Sequence, residues 1–308
     1  MIAISCRFET DFGDIKLMLL NSKIIFNYII ENISSVYDKT EADSIARIIL
    51  EEKFNCSFTD VFIGKCIDIP SFDVIKDIIS RLNNNEPIQY ILGKCSFCNI
   101  DMLIDRRALI PRPETEEMVF DIIETVECKG EMRILDLCTG SGCISLALKR
   151  AFPQAHVFAV DISNDVLELA KKNAHKNDLY IHFIKADILS HDIVDKLGLD
   201  YHSFNIIVSN PPYVCISEKE NMHKRVLNYE PSEALFVSDE APLVFYESIK
   251  NITNKLLTKE GYCFVEINER FGSEVKCLFK NECVYAEIKK DFNNKDRWVV
   301  IQKETLVS

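Results

Sequence analysis

The chain has 308 residues, 47% of them hydrophobic and 27% charged, a balance that excludes wholesale disorder. Its 36 Lys and Arg against 48 Asp and Glu leave a net charge of -12, which speaks against a broad nucleic-acid backbone footprint but tolerates a local basic patch or a basic protein partner. No stretch approaches the ~18 uncharged apolar residues of a membrane span, the apolar start Met1–Phe8 lacks the basic region of a secretory leader, and most of the twelve cysteines stand singly in apolar contexts, as in a reducing, cytoplasmic compartment.

From Asp11 to Leu82 apolar residues recur at helical spacing, as in Ile45, Ile48 and Ile49 and again in Phe72, Ile75, Ile78 and Ile79. Thr40-Glu41-Ala42-Asp43 is a variant capping box, and Ser71 offers a second helix start. Four or five short helices are predicted, a module over residues 1–83 that binds a partner or braces its neighbour. Asn83-Asn84-Asn85-Glu86-Pro87 breaks the pattern. Residues 94–104 alternate loosely, as in a hairpin. In Ile110-Pro111-Arg112-Pro113 the two prolines force an extended stretch, and the acids that follow suit the first turn of a helix over 116–127. A linker is therefore expected over 84–116, with the main domain over 117–308. Cys95 and Cys98 form a Cys-x-x-Cys without the second ligand pair that a zinc site requires, so no metal is expected.

From Met132 onward strand and helix alternate. β-branched apolar runs occur at Arg133–Leu137, His156–Val160, Ile181–Lys185, Phe204–Val208 and Tyr262–Ile267, with helical segments at Cys143–Ala151, Asn164–Asn177, Ile193–Leu197 and Leu243–Leu257. This is an α/β pattern, a parallel sheet covered on both faces. The tail adds Val284–Ile288 and Arg297–Ile301, too close for a crossover helix, so the final pair should be antiparallel.

The first of these strands runs into Cys138-Thr139-Gly140-Ser141-Gly142 and then into helix, a loop that lets a ligand approach the backbone at the carboxyl end of a strand. Asp161 ends the next strand, where a carboxylate can accept two hydrogen bonds from a ribose diol. A plain strand-to-helix turn with a capping Asp has the same look. A dinucleotide fingerprint wants a third glycine where Ser145 stands. Asp136 before the loop would be an odd neighbour for a diphosphate but suits a cationic ligand such as S-adenosylmethionine. Asp187 offers an acceptor for an adenine amine, or is a solvated turn residue.

The fourth strand delivers Asn210-Pro211-Pro212-Tyr213. Two prolines fix φ and remove two N–H donors, leaving rigidly held carbonyl acceptors. A planar NH2 group lying on the Tyr213 ring can donate one hydrogen to the Asn210 side-chain oxygen and the other to the Pro211 backbone oxygen. The lone pair of an amide nitrogen is delocalised, and two directed acceptors favour its pyramidalisation toward a sulfonium methyl. The six histidines fall singly, and no nucleophilic triad pattern competes.

These residues resemble the protein-glutamine N5-methyltransferases that modify peptide-chain release factors, the PrmC/HemK family. Besides the glycine loop, Asp161 and Asn210–Tyr213, the resemblance is carried by Glu86–Gly93, by Ile110-Pro111-Arg112-Pro113-Glu114-Thr115-Glu116, by Tyr229-Glu230-Pro231 and by Asp291-Phe292-Asn293-Asn294-Lys295-Asp296-Arg297. It implies a Rossmann-like class I methyltransferase sheet, mostly parallel, behind a small helical substrate-docking domain. It further implies S-adenosylmethionine held by Cys138–Gly142, Asp161, Ile188 and Asn210, with S-adenosylhomocysteine as product. The glutamine of the Gly-Gly-Gln motif of class 1 release factors would be held by Asn210, Pro211, Pro212 and Tyr213. The chain departs from the family at Cys138 and Asn268, where glycine is usual, and at Ile188, where an aromatic often stands. The resemblance implies a release factor as partner; a monomer is expected, and the acidic charge speaks against direct nucleic-acid binding. An adenine-N6 methyltransferase presents the same tetrapeptide to a flipped base, but such an enzyme should carry a cationic channel or a target-recognition insert, and the net charge of -12 and the helical N-terminal module argue against it. A catalytically dead binding module and a nicotinamide dehydrogenase fit less well.

Overall fold

The computed structural model describes residues 11, 12, 15, 16, 18–127, 130–280 and 285–303; the Met1–Phe8 start and Val284 lie outside them. The chain divides into two compact units, Met1–Gly93 and Lys94–Ser308. The hairpin and the Pro-Arg-Pro stretch, expected in a linker, thus fall within the second unit. Among the described residues no helix is long and apolar enough to cross a membrane.

The first unit holds α1 (Ser22–Ile33), α2 (Lys39–Phe54), α3 (Phe58–Ile63), α4 (Phe72–Asn83) and α5 (Ile88–Leu92). Ile25, Ile29, Ile45, Ile49, Ile75 and Leu82 bury the apolar stripes of three of them against one another. Ser71 caps α4 by accepting from the Asp73 N–H, as predicted. The cap of α2 lies two residues ahead of Thr40. Asp38 accepts from the Glu41 N–H at 2.9 Å, because a carboxylate there faces the free N–H groups and places Glu41 in the favourable first turn. A reciprocal capping box is instead made by Ser57 and Asp60 at α3. An antiparallel pair, Met18–Asn21 with Cys66–Ile69, completes the unit.

The second unit opens with the expected hairpin, Lys94–Phe97 paired with Ile100–Leu103. Cys98 and Asn99 turn it with φ of 46° and 59°, the double left-handed geometry of a tight hairpin turn. Helix α6 spans Pro113–Thr125, starting three residues before the predicted 116 because proline at the first helical position loses no hydrogen bond. The main sheet has seven strands: β1 (Arg133–Leu137), β2 (His156–Asp161), β3 (His182–Lys185), β4 (Phe204–Ser209), β5 (Leu257–Glu266), β6 (Tyr285–Lys290) and β7 (Asp296–Gln302). Their order is β3-β2-β1-β4-β5-β7-β6. β7 runs antiparallel to both neighbours, and the remaining pairs are parallel. Alternate residues bury opposite faces: Ile134, Val157, Ile206 and Phe264 pack in one layer, and Leu135, Val160, Ile207 and Cys263 in the other. Burial of both faces is why the strands read as continuous apolar runs. The helices between strands include α7 (Cys143–Ala151), α8 (Asn164–Lys176) and α11 (Val244–Leu256), with the short helices α9 (Ile193–Leu197) and α10 (Lys224–Tyr229) between β3 and β5. The strand order reverses between β1 and β4, and a crevice opens at their carboxyl ends as this topology requires.

Candidate active site

The loop after β1 is built on three left-handed residues, Cys138, Gly140 and Gly142, with φ of 59°, 56° and 83°. For Cys138 this conformation costs roughly 1–2 kcal/mol. A Cβ added at Gly140 would meet no atom within 4 Å, and this residue lines the cavity. A Cβ at Gly142 would lie 3.2 Å from the Ala170 Cβ, so that glycine permits close packing on α8.

Asp136 is fully buried. Its Oδ2 accepts from the Thr139 hydroxyl at 2.6 Å, from the Ser145 N–H at 3.2 Å and from the Ser145 hydroxyl, while Oδ1 has no partner. Burial pushes its carboxyl up to about 6, against the lowering pull of the Ser145 and Thr139 hydrogen bonds. Asp136 was expected to face a cationic ligand, but it is not among the residues lining the cavity. It instead clamps the loop to the start of α7, and Ser145, where a dinucleotide fingerprint would have glycine, supplies two of its donors.

A cavity of about 580 Å³ lies beyond the carboxyl ends of β1 to β4, lined by Cys138, Gly140, Asp161, Asp187, Ile188 and Asn210 among others. This is the size of a small-molecule site. Pro212, Arg107 and Phe245 also reach its wall; no sequence pattern marked the last two. Thr139, Ser141 and Gly142 do not. The Thr139 hydroxyl is spent on Asp136, and the Ser141 carbonyl accepts from the Asn173 amide at 3.0 Å. Asp161 accepts from the Gly140 N–H through Oδ2 and from the Ser163 N–H through Oδ1, each at 3.0 Å. Burial raises its carboxyl above the ordinary range despite these bonds. Each oxygen keeps a second acceptor site for a ligand. Asp187 closes its own turn by accepting from the Leu189 N–H at 2.9 Å. Ile188 is buried. Among the described residues no cluster of three metal-ligating side chains occurs. Cys95 and Cys98 are thiols pushed up to about 12 by burial.

The Ser209 hydroxyl donates to the Leu137 carbonyl at 2.8 Å, tying the ends of β4 and β1 together just before Asn210. The Asn210 Nδ2 donates to the Thr115 Oγ1 at 3.2 Å. Thr115 in turn donates to Glu266 Oε2 at 2.7 Å, and the Tyr213 hydroxyl donates to Glu266 Oε1 at 3.0 Å. Because the Thr115 proton is committed to Glu266, its oxygen can only accept from Asn210. The NH2 end of that amide therefore faces Thr115, and Oδ1 points elsewhere as an acceptor. Glu266 is buried; desolvation raises its carboxyl, and the Thr115 and Tyr213 hydroxyls pull it back. Tyr213 is held well above the ordinary phenol range, by burial first and by the Glu266 charge second. Its carbonyl accepts from Asn268 Nδ2 at 3.1 Å, and the same amide donates to Glu218 Oε2 at 2.9 Å. The Pro-Arg-Pro segment is pinned by Glu230, which accepts from the Ile110 N–H at 3.2 Å and from the Arg112 guanidinium at 2.6 Å. Around the tetrapeptide, sequence patterns gave no role to Thr115, Glu266 or Asn268. For Thr115 and Glu230 the signal was available, since both lie in the segments that carry the family resemblance.

A glycine loop and an aspartate at the switch point, facing an Asn-Pro-Pro-Tyr strand end, define a methyltransferase domain, and a family model of that description matches residues 128–305. The chain is 36% identical to a release factor glutamine methyltransferase of Flavobacterium psychrophilum over 90% of this chain and 99% of that protein. It is 37% identical to one of Bacteroides thetaiotaomicron over 88% of this chain and 96% of that protein. A solved methyltransferase from Pyrococcus furiosus is similar with a TM-score of 0.48 at 15% identity, covering 67% of this chain and 90% of that one. The chain belongs to the release factor glutamine methyltransferase family.

Two outcomes follow from this geometry. Asp136 holds its proton more tightly when folded, at about 6, than at its ordinary 3.8. Its protonation therefore favours the fold at low pH, and that contribution is lost as pH rises between those two values. Thermal melts of Asp136→Asn should show a flatter pH dependence than wild type across that window. An unchanged slope would remove Asp136 from the titration. Thr115→Val should lower turnover by ~10-fold or more by freeing the Asn210 amide to flip, with cofactor affinity intact, whereas Thr115→Ser should restore it. Equal turnover in the valine variant counts against the alignment role.

Proposed function

We propose that this chain transfers the methyl group of S-adenosylmethionine to the side-chain amide nitrogen of the glutamine in the Gly-Gly-Gln motif of class 1 peptide-chain release factors. The observation that carries the reading is the orientation of the Asn210 amide, whose NH2 end is turned to Thr115 so that Oδ1 is left as an acceptor for a substrate. The two relatives with that name, aligned over nearly their whole length, support the substrate class. The cavity suits the donor: Gly140 offers backbone without a Cβ at the wall, Asp161 has acceptor capacity for a ribose diol, and Asp187 lies where an adenine amine can be met. When bound, S-adenosylmethionine supplies an electrophilic methyl on a sulfonium centre.

The remaining work is done by the protein. Asn210 Oδ1 and the Pro211 carbonyl accept the two amide hydrogens of the glutamine, and the proline pair keeps both acceptors from rotating away. The Tyr213 ring supports the amide plane and is itself held by Glu266. As the nitrogen gains positive character these acceptors strengthen, which lowers the barrier without reorganisation. The methylated nitrogen is acidic and gives up its proton to water, late, as the methyl exchanges its bond to sulfur for one to nitrogen. Glu266 is already engaged by two hydroxyls, so its role is alignment.

Mass spectrometry of a recombinant release factor incubated with the protein and S-adenosylmethionine should find one added CH2 on the Gly-Gly-Gln peptide. An unmodified peptide would falsify the substrate. Asn210→Ala should bind cofactor nearly as wild type yet transfer methyl ~10²-fold more slowly, the loss seen when one preorganised electrostatic partner is removed. Asp161→Ala should weaken cofactor affinity more than saturated turnover, and the reverse kinetic pattern contradicts its ribose role.

A further inference from the structure

The turn joining β6 to β7 carries the most exposed large apolar side chain among the described residues, Phe292, at 92% of its full accessibility. An isolated surface phenylalanine means little by itself. This one is held in place. Its N–H donates to Glu117 Oε2 at 2.9 Å. The turn closes through Asp291 N–H to the Lys295 carbonyl at 3.0 Å and Asn294 N–H to the Asp291 carbonyl at 2.8 Å. The buried Asp291 carboxylate accepts from the Lys295 N–H and twice from the Arg297 guanidinium, at 2.9–3.0 Å. Burial opposes ionisation of Asp291, but those donors outweigh it and keep the carboxyl below its ordinary value. The backbone beneath the ring is thus ordered before anything binds, which removes much of the entropic cost of using it as a contact.

Topology sets where the ring stands. β5 ends at Glu266, which holds Tyr213. β7 runs antiparallel to β5, pairing Trp298 with Glu266, so the turn before β7 rises at the same end of the sheet as Tyr213. Arg297 lies within electrostatic reach of both Tyr213 and Glu266. Glu117, which anchors Phe292, is two residues beyond Thr115, which anchors Asn210. The cavity assigned to the cofactor lies at the ends of β1 to β4, so the Phe292 turn flanks the tetrapeptide from the other half of the sheet. A protein that brings a glutamine to Asn210 from this side does not cross the donor.

We infer that the β6–β7 turn is a docking contact for the protein substrate, with Phe292 inserting into an apolar hollow on the release-factor domain that presents the glutamine. The inference rests on the proposed substrate and adds the surface that recognises it. Aromatic anchors of this kind are enriched at protein interfaces and depend on burial by the partner. The ring takes no part in the chemistry, so the effect belongs to recognition.

The test compares wild type and Phe292→Ala on two substrates, an intact recombinant release factor and a short peptide containing Gly-Gly-Gln. For the intact factor KM should rise roughly tenfold or more, as on loss of an aromatic anchor, with kcat and S-adenosylmethionine affinity unchanged. KM for the peptide should not move, and Phe292→Leu should recover most of the loss. A wild-type protein that fails to methylate the factor sinks the substrate and the turn's role together. Normal methylation by wild type with the same KM in Phe292→Ala, or an equal loss on both substrates, overturns the docking role alone.

Discussion

One buried carboxylate organises the reactive end of this molecule. Glu266 takes the Thr115 hydroxyl on one oxygen and the Tyr213 hydroxyl on the other, and through Thr115 it dictates which end of the Asn210 amide is presented. An asparagine amide has nearly the same shape both ways round, so a site that needs an acceptor must supply a reason for the donor end to turn away. Here the reason is a proton already committed elsewhere. A buried carboxylate with two O–H donors has both oxygens engaged, and the charge-assisted hydrogen bonds offset part of its desolvation cost, which still leaves the carboxyl raised. Low polarity around the pair strengthens both bonds and discourages rearrangement.

The donor side of the crevice follows a parallel logic. Asp136 spends one oxygen on Thr139 and Ser145 and thereby fixes the glycine loop onto α7, while Asp161 holds the Gly140 N–H from the neighbouring strand. Two acids from adjacent strands thus shape the loop from beneath and from the side. Only the second also reaches the cavity wall. Both carboxyls sit above their ordinary values because of burial.

The sheet was legible because its strands are buried on both faces, and burial writes itself as uninterrupted runs such as Ile206–Val208. That Gly140, Asp161, Asn210 and Pro212 come to one cavity wall was legible because strand ends are local: each lies within a few residues of where its strand stops. The Thr115–Glu266 bond was not. Its partners are 151 residues apart in the chain, and nothing in a linear pattern says that the first turn of α6 will meet the end of β5. The same blindness explains Asp136. A carboxylate before a glycine loop suggests a ligand, but only three dimensions show that Thr139 and Ser145 consume it first. At α2 the error was smaller, since Asp38 and Thr40 both qualify as caps and the choice depends on which faces the free N–H groups.

The three departures from the family pattern behave differently once their surroundings are known. Ile188 is packed into the apolar layer beneath the cavity, so it contributes shape and no ring for stacking. Cys138 adopts a left-handed backbone that glycine would adopt at no cost, and its side chain gains contacts with the same layer that partly offset the strain. Asn268 has the clearest consequence. Its amide joins the Tyr213 carbonyl to Glu218, and Glu218 in turn accepts from the Cys215 N–H at 2.8 Å. A glycine could offer neither bond. The loop after the tetrapeptide is therefore clasped from outside by Asn268 while Tyr213 is gripped from inside by Glu266. In this chain the rigidity of the tetrapeptide is reinforced from both sides, where the prolines alone would stiffen only the backbone between them.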